Sequence, residues 1–404
     1  MKTYNGSHTI TGGNGQLDFS ASRPVCILMP SMGAKEMPDF EGIKSQLKKN
    51  GAEIITADLS LAGTVRDLPW DRIDTIDLSN MRGCLTSFDR YTGILDRLYD
   101  KIEEQQDHGR SISVIPEYEN VAWIASKSTY LTHLNENDIP TIPTQTLCTL
   151  QDPDNATIIS QPDNFDAMFQ QIKDFMAQSE KDTFVLKPST SSLGRGLFFI
   201  ERNESDESLS LSLPREQGKP IDMKFQDSAE LESFMMSYFT NTPSPDQHFL
   251  FQEYVPNLET SAVFVNGTPH FVERQQGEHS RIAHARYGGV DHVNDNPDPE
   301  MVRFVMDVMQ ALPESVQNSP FLRIDVMENL DTGEYILGEI EGAGAARLWL
   351  REAGRTEDYA RMLIDEGLAQ QKKSALNKTP AKEQNIGHEN VGTDLDDDNA
   401  QEIS

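Results

Sequence analysis

The chain has 404 residues, enough to bury a sizeable core and to hold two or three subdomains. Its 35 Lys and Arg against 65 Asp and Glu give a formal net charge of −30, which argues against nucleic acid as a partner, because a phosphate backbone would be repelled. Cys26, Cys84 and Cys148 form no CxxC pair and no even set, as expected of a reducing, cytoplasmic compartment and a fold without structural zinc.

Residues 1–22 are polar and Gly-rich, with no apolar run of signal-peptide type, and no stretch reaches the length of a membrane span. The expectation is a soluble protein with a flexible N-terminus and no membrane partner. Val25–Met29 is a short apolar run, followed by the loop Pro30–Gly33, a helical pattern over Phe40–Asn50 that ends at Gly51, and a strand over Glu53–Ala57. This βαβ order implies parallel strands. Thr75–Leu78 reads as a further strand, and Tyr91–Glu104 carries Ile94, Leu95, Leu98 and Ile102 at helical spacing. The N-terminal part thus reads as an open α/β lobe. Strand ends of such a lobe can line a ligand crevice, which makes Ser79, Asn80 and Arg82 substrate-side candidates; Arg82 fits a surface loop cation equally well.

Val114–Pro116 reads as a strand and Glu119–Leu134 as one helix that contains Lys127, a position that by itself marks a solvated side chain. Prolines keep Ile139–Thr144 extended and mark a boundary. After a helix over Phe165–Gln178 comes Thr183–Glu201, TFVLKPSTSSLGRGLFFIE, which reads as strand, Ser/Gly loop and returning strand. Because the glycines lead into Leu197–Ile200 and not into a helix, neither a Walker loop nor a Rossmann fingerprint fits. The loop suits either an ordinary turn or an anion cradle with Lys187 at its base.

Residues 202–224 are Ser-rich and polar, and an extended loop or mobile insertion is expected there. Leu231–Phe239 suggests a helix and Phe249–Val255 a strand. Asn266–Gly267 signals a type I′ hairpin between Ser261–Val265 and His270–Arg274. A helix over Met301–Leu312 precedes two strands, Phe321–Glu328 and Tyr335–Glu341, joined at Asn329–Gly333. From Gln370 the chain is rich in Lys, Asn, Gln, Glu and Asp and carries the acidic run Asp394–Asp398, so disorder is expected.

On the last strand Glu339 and Glu341 share one face, and Asp325 lies on its partner. Three gathered carboxylates repel unless a cation joins them, and hard oxygens suit Mg²⁺. Each acid alone would fit a solvated strand face. Arg323 and the apolar Ile324, Val326, Ile336, Leu337 and Ile340 argue against simple solvation.

Taken together, a strand ending in KP before a Gly/Ser loop, then QEYV, RIDV and EIE, resemble in order and spacing the ATP-grasp superfamily. The closer resemblance is to glutathione-synthetase-like and RimK-like ligases, especially the type that closes O-ureidoserine to cycloserine, and it spans residues 25–355. It implies a mixed α/β and α+β architecture, in which an open N-terminal α/β lobe precedes two α+β subdomains clasping ATP. The implied divisions are a flexible 1–22, an N-terminal lobe 23–118, a central subdomain 119–255, a C-terminal subdomain with the metal site 256–368, and a tail 369–404.

The resemblance implies an ADP-forming carboxylate–amine ligase that works through an acyl phosphate on amino-acid or peptide-like substrates. A non-catalytic Mg-ATP-binding regulator or scaffold, and a kinase of a hydroxyl substrate, stay open beside it. By the same resemblance Lys127 and Lys187 meet the ATP phosphates, and Ser189–Gly196, with Ser192, Gly194 and Arg195, forms the phosphate loop. Gln252, Glu253, Tyr254 and Val255 form the adenine hinge, and Glu259 takes the ribose. Asp325, Glu339 and Glu341 hold Mg²⁺, or Mn²⁺ in its place, with Glu341 standing where many members have Asn. Arg281 and Arg323 face phosphate and acyl phosphate as catalytic residues. Partners would be a small carboxylate and an amine, with a homodimer left open. The sequence departs from the pattern at Leu258, where Gly is usual, at Gly344-Ala345, where the cyclo-ligases tend to have Glu-Pro, and in the length of the insertion after Arg202.

Overall fold

The computed structural model describes residues 23–31, 38–61, 63–80, 88–148, 162–190, 196–203, 208–214, 220–225, 228–241, 248–277, 281–283, 289–342 and 354–377. The apolar run near the start becomes β1 (Cys26–Ser31), buried along nearly its whole length. It pairs in parallel with β2 (Glu53–Asp58) on one side and β3 (Thr75–Asp77) on the other, and β4 (Ser113–Ile115) completes a sheet of order β2-β1-β3-β4. The helices α1 (Pro38–Lys49) and α2 (Phe88–Asp107) connect these strands, giving the expected open α/β lobe.

The single helix expected over Glu119–Leu134 is two: α3 (Tyr118–Ala125) and α4 (Lys127–Glu136), divided at Ser126, whose backbone is extended. The Ser126 side chain accepts from the Thr129 amide, so it caps α4 and places Lys127 in the first turn. Then follow β5 (Thr144–Cys148), α5 (Pro162–Gln178), β6 (Thr183–Pro188), β7 (Phe198–Arg202), β8 (Leu209–Leu213), β9 (Ile221–Phe225), α6 (Ser228–Asn241) and β10 (His248–Glu253). They form a six-stranded antiparallel sheet of order β5-β10-β6-β7-β8-β9 with α5 and α6 over one face. The stretch 202–224 is therefore no plain loop. Leu209, Leu211 and Leu213 alternate with serines as a strand requires, and Leu211 is fully buried.

The third sheet, order β13-β12-β11-β14-β15, comprises β11 (Asn257–Val265), β12 (Thr268–Gln275), β13 (Val290–Asn294), β14 (Phe321–Asn329) and β15 (Tyr335–Glu341). Asn266 and Gly267 both have positive φ, 49° and 73°, the conformation a type I′ turn demands. Helices α7 (Pro299–Ala311) and α8 (Glu314–Gln317) cover this sheet, and Tyr130, Leu131 and Leu134 of α4 join the same core.

The last helix, α9 (Thr356–Asn377), continues through Gln370, into the stretch expected to be disordered. Sequence order would assign its first turns to the C-terminal subdomain, yet it packs on α1, β1, β3 and β4 of the N-terminal lobe, and also touches β11. Tyr359 is fully buried against Phe321, with ring centroids 5.2 Å apart, and its hydroxyl donates to Asp77 Oδ1 at 2.9 Å. Close approach depends on Gly367: a methyl there would overlap Val25 Cγ1 and press on Thr75 Oγ1 at 3.0 Å. Gly367→Ala gains up to ~1 kcal/mol in helix propensity but overpacks the contact by about 1–3 kcal/mol. A net loss of stability is expected in urea unfolding, and a stabilised variant would refute the close-packing account.

Among the described residues no helix is long and apolar enough to cross a membrane.

Candidate functional site

The second and third sheets face one another across a cleft of about 160 Å³ whose walls include Val185, Lys187, Phe199, Tyr254, Glu259 and Glu339. Strand periodicity explains why charge collects there. Along β6, Phe184 and Leu186 turn into the core, while Val185 and Lys187 turn to the cleft.

On β14, Ile324 and Val326 are buried in the core and Arg323 and Asp325 lie on the opposite face. On β15 a plain alternation would put Leu337 and Glu339 on one face. Instead the register shifts beside Asp325, Gly338 forms a bulge, and Leu337 and Ile340 enter the core while Glu339 stands directly opposite Asp325 and Glu341 opposite Arg323. A side chain at position 338 would press on the Asp325 carbonyl at 3.2 Å and on Met327 Cγ at 3.3 Å, which explains the glycine.

Four acids and four cations meet on this face. Lys127 Nζ lies 2.9 Å from Glu339 Oε1. Arg323 forks onto Asp325, Nε to Oδ1 at 2.8 Å and the terminal nitrogen to Oδ2 at 2.6 Å, and its other terminal nitrogen reaches Glu341 at 2.7 Å. Arg274, opposite Glu259 across β11 and β12, pairs with that carboxylate and lies 3.5 Å from Asp325. Ser261 donates to Asp325 Oδ1 at 2.6 Å.

Burial alone would raise the Glu339 carboxyl, but Lys127, Arg323 and Lys187 outweigh it and hold the group well below its usual range. Burial pushes Glu341 and Glu259 up, against the pull of Arg323 and Arg274 respectively. Arg323 is kept charged beyond its ordinary range: burial works against the charge, and Asp325 and Glu341 overcome it.

Lys187 is pushed down to about 8 by burial and by the neighbouring charge of Lys127. The amine is thus cationic at pH 7 and loses its charge as pH rises through 8. If it faces phosphate, nucleotide affinity measured without divalent cation should fall by about tenfold between pH 7 and 9.5, and Lys187→Arg should flatten that profile. An equally steep fall in the Arg variant would remove Lys187 from the site. The same depression weakens the fold while the amine is charged in both states, a penalty relieved between about 8 and the ordinary value of 10.5.

The other expected residues divide between the cleft and its supports. Ser189 is fully buried; its hydroxyl accepts from the Ser128 amide at 2.9 Å and lies 3.2 Å from the Ser128 hydroxyl, tying the end of β6 to α4. Gln252 donates to Thr144 Oγ1 at 2.7 Å and Glu253 accepts from Ser179 at 2.6 Å, and both line the cleft together with Tyr254 and Val255. Gly196 has φ 69° and its carbonyl accepts from the Tyr238 hydroxyl.

Arg281 does not join the carboxylates. Its guanidinium stacks 5.3 Å from the Phe199 ring and 5.4 Å from Tyr254, and it pairs with Glu201 across the cleft mouth. Ser192, Gly194, Arg195 and Arg82 lie outside the described residues, as does the Asn80 side chain. Ser79 is buried and bonded to Asp77 and Tyr359, so it serves the junction with α9.

Arg274 and Ser261 were not legible as site residues, since one cation and one hydroxyl on alternating strands carry no motif; the paired register Glu259–Arg274 and Ser261–Asp325 reveals them.

Among the described residues, no three His, Cys, Asp or Glu side chains are placed to hold a metal, because Arg323 stands between Asp325 and Glu341. The donor chemistry nevertheless fits a hard divalent ion: all three groups are carboxylates, and the Lys127 ammonium on Glu339 already supplies the positive charge that position calls for.

No family model matches the chain, and no curated protein does. Solved structures do. D-alanyl-alanine synthetase A from Vibrio cholerae O1 biovar eltor str. N16961 is 14% identical with a TM-score of 0.55, over 86% of this chain and 100% of that one. D-alanine–D-alanine ligase from Bacillus anthracis complexed with ATP gives 14% and 0.52, over 86% and 99%. ATP-grasp ligase PsnB, complexed with a phosphomimetic variant of its minimal precursor, Mg and ADP, gives 10% and 0.50, over 85% and 99%.

The chain has the ATP-grasp fold. The cleft between its two antiparallel sheets is lined by Lys187, Glu259, Asp325 and Glu339, and Lys127 pairs with Glu339 there.

Proposed function

We propose that the protein is an ADP-forming ligase that joins a carboxylate to an amine at the expense of ATP, on amino-acid or peptide-like substrates. The observation that carries this reading is the meeting of Lys187, Glu259, Asp325 and Glu339 in one cleft, with Lys127 paired to Glu339, Arg274 to Glu259, and Arg323 to Asp325 and Glu341. Such a set neutralises a polyphosphate and needs no protein nucleophile.

In the proposed reaction a substrate carboxylate oxygen bonds to the γ-phosphorus as the β–γ bridging bond breaks and ADP leaves. The amine nitrogen then attacks the acyl carbon, expels phosphate and gives up a proton. Lys127 and Lys187 hold the phosphates in line, and Arg323, fixed by Asp325 and Glu341, keeps the two carboxylate-bearing strands in register. Mg²⁺, held by Glu339 and Glu341 with Asp325, would supply charge neutralisation for the phosphate oxygens. Arg281, whose guanidinium lies over the Phe199 and Tyr254 rings, closes the purine end of the cleft in this reading.

The narrower likeness to RimK-like and O-ureidoserine cyclo-ligases rests on the KP, QEYV, RIDV and EIE stretches and is proposed at that level only. A screen of carboxylates and amines for ADP and phosphate release, with mass spectrometry of the product, tests the reading. Hydroxylamine should trap a hydroxamate, because only an acyl phosphate reacts that way. ADP release with a phosphorylated hydroxyl product would identify a kinase instead, and Mg-ATP binding without turnover would identify a binding protein.

A further inference from the structure

A second cavity, of about 450 Å³, lies in the N-terminal lobe between α2 and the segment that carries the chain from β2 to β3. Its floor is apolar: Leu59, Val65 and Ile94 belong to the core that α2 shares with Leu28 of β1. The neighbouring β1 residues Ile27 and Met29 enter a different core, one that also holds Val263 and Phe321 of the third sheet. Strand alternation thus puts the first sheet between this cavity and the third sheet, so the cavity is no branch of the cleft between the second and third sheets.

The charge around it runs against the rest of the molecule. Arg66, Arg97 and Lys101 line the cavity beside a single acid, Asp100, in a chain where 35 Lys and Arg face 65 Asp and Glu. Arg97 and Lys101 stand four residues apart on α2 and share a face. Arg66 pairs with Asp67 and Lys101 with Glu104, acids outside the lining; such solvent-exposed pairs are weak and yield readily to another anion. Arg97 meets no carboxylate among the described residues. On the facing wall the chain turns at Gly63 with φ 84°, and a β-carbon there would stand 3.2 Å from a terminal nitrogen of Arg66, so the glycine leaves room for that guanidinium. The Trp70 indole donates to the Val65 carbonyl at 2.8 Å and pins the same segment.

Volume and lining have the proportions of a small-molecule site, in which an apolar surface buries the body of a ligand and a few polar groups fix one end. Guanidinium groups suit the oxygens of a carboxylate or a phosphate. We propose that this cavity is a ligand site separate from the cleft, for a small anion with an apolar body: its carboxylate or phosphate oxygens meet Arg66, Arg97 and Lys101, and its chain lies on Leu59, Val65 and Ile94. The proposal does not depend on the ligase reading.

The probe is anilinonaphthalene sulfonate, an anion with an apolar body, added to the full chain and followed by fluorescence. Octanoate, hexyl phosphate and octanol serve as competitors, and thermal unfolding reports the fold. Saturable dye binding is expected, displaced by octanoate or hexyl phosphate but neither by octanol nor by a non-hydrolysable ATP analogue; the stronger of the two anions identifies the head group. Reversing charge with Arg97→Glu and Lys101→Glu together should weaken the dye by about tenfold or more at unchanged Tm. If that double variant lowers Tm, Arg97→Gln serves instead, with a smaller loss of the same sign. Dye affinity that stays at the wild-type value in the folded variant overturns the proposal. So does displacement by the ATP analogue, which would put the dye in the cleft, and so does equal displacement by octanol, which would show an apolar surface without preference for anions. Absence of saturable binding by the dye and both anions overturns it as well, and leaves the ligase reading intact.

Discussion

Glu339→Ala is expected to abolish carboxylate-dependent release of phosphate from ATP, by at least about 10²–10³-fold in kcat. Glu339 is the carboxylate that opens most to the cleft, with 29% of its side chain exposed, and it is held ionised by Lys127, Arg323 and Lys187. Its removal takes away a divalent-cation ligand in the proposed reaction and leaves Lys127 without the charge it now meets. Those effects separate experimentally: Glu339→Gln keeps the volume and a neutral acceptor, so it should retain the fold while losing most activity. Calorimetric binding of the nucleotide in EDTA should survive both changes, because Lys127 and Lys187 stay in place. Turnover persisting within tenfold of wild type in Glu339→Ala would sink the assignment of β15 as the metal-bearing strand.

Arg323→Met should act on stability more than on any binding step. The guanidinium is 5% exposed and holds two carboxylates, Asp325 and Glu341. Removing one partner of such a group leaves buried charge uncompensated, at about 3–5 kcal/mol. The sign of the pH dependence follows from Glu341, which burial already pushes up to about 7 against the pull of Arg323. Without Arg323 its folded pKa lies further above the unfolded value, so the loss is small at low pH, grows as pH rises past the unfolded value, and levels off above the folded one. Urea unfolding at pH 5 and pH 8 should therefore give a larger deficit at pH 8. Arg323→Lys keeps a charge but not the fork and should fall between. Equal losses at the two pH values would mean that the carboxylates are solvated after the substitution.

The parts of the site that were legible in the sequence are those where chemistry and periodicity coincide locally. The strand ending in Lys187 and Pro188, the alternation of Glu339 and Glu341, and the placement of Asp325 across a hairpin follow from a period of two. The bulge was signalled only by a glycine inside EIE's strand, and without it the inward face of β15 would have been assigned wrongly at Leu337. In 202–224 the Leu-Ser alternation of β8 is a strand signal that the surrounding Ser, Glu and Asp obscure. Arg274 carries no local mark, because its meaning comes from strand register. The position of α9 was beyond reach for a related reason: helical periodicity shows that one face is buried, not against which element.

The return of α9 to the N-terminal sheet has a bearing on biosynthesis. β1, β3 and β4 are made early, but the helix that covers them at Val25 and Thr75 comes after the second and third sheets in the chain. Until it arrives, an apolar sheet face that includes Val25, Ile27 and Met29 lacks its cover from α9. The N-terminal lobe produced alone should consequently aggregate or require chaperones, and supplying residues 354–377 in trans should rescue its solubility. A domain that looks first in the sequence is, in this molecule, among the last to be finished.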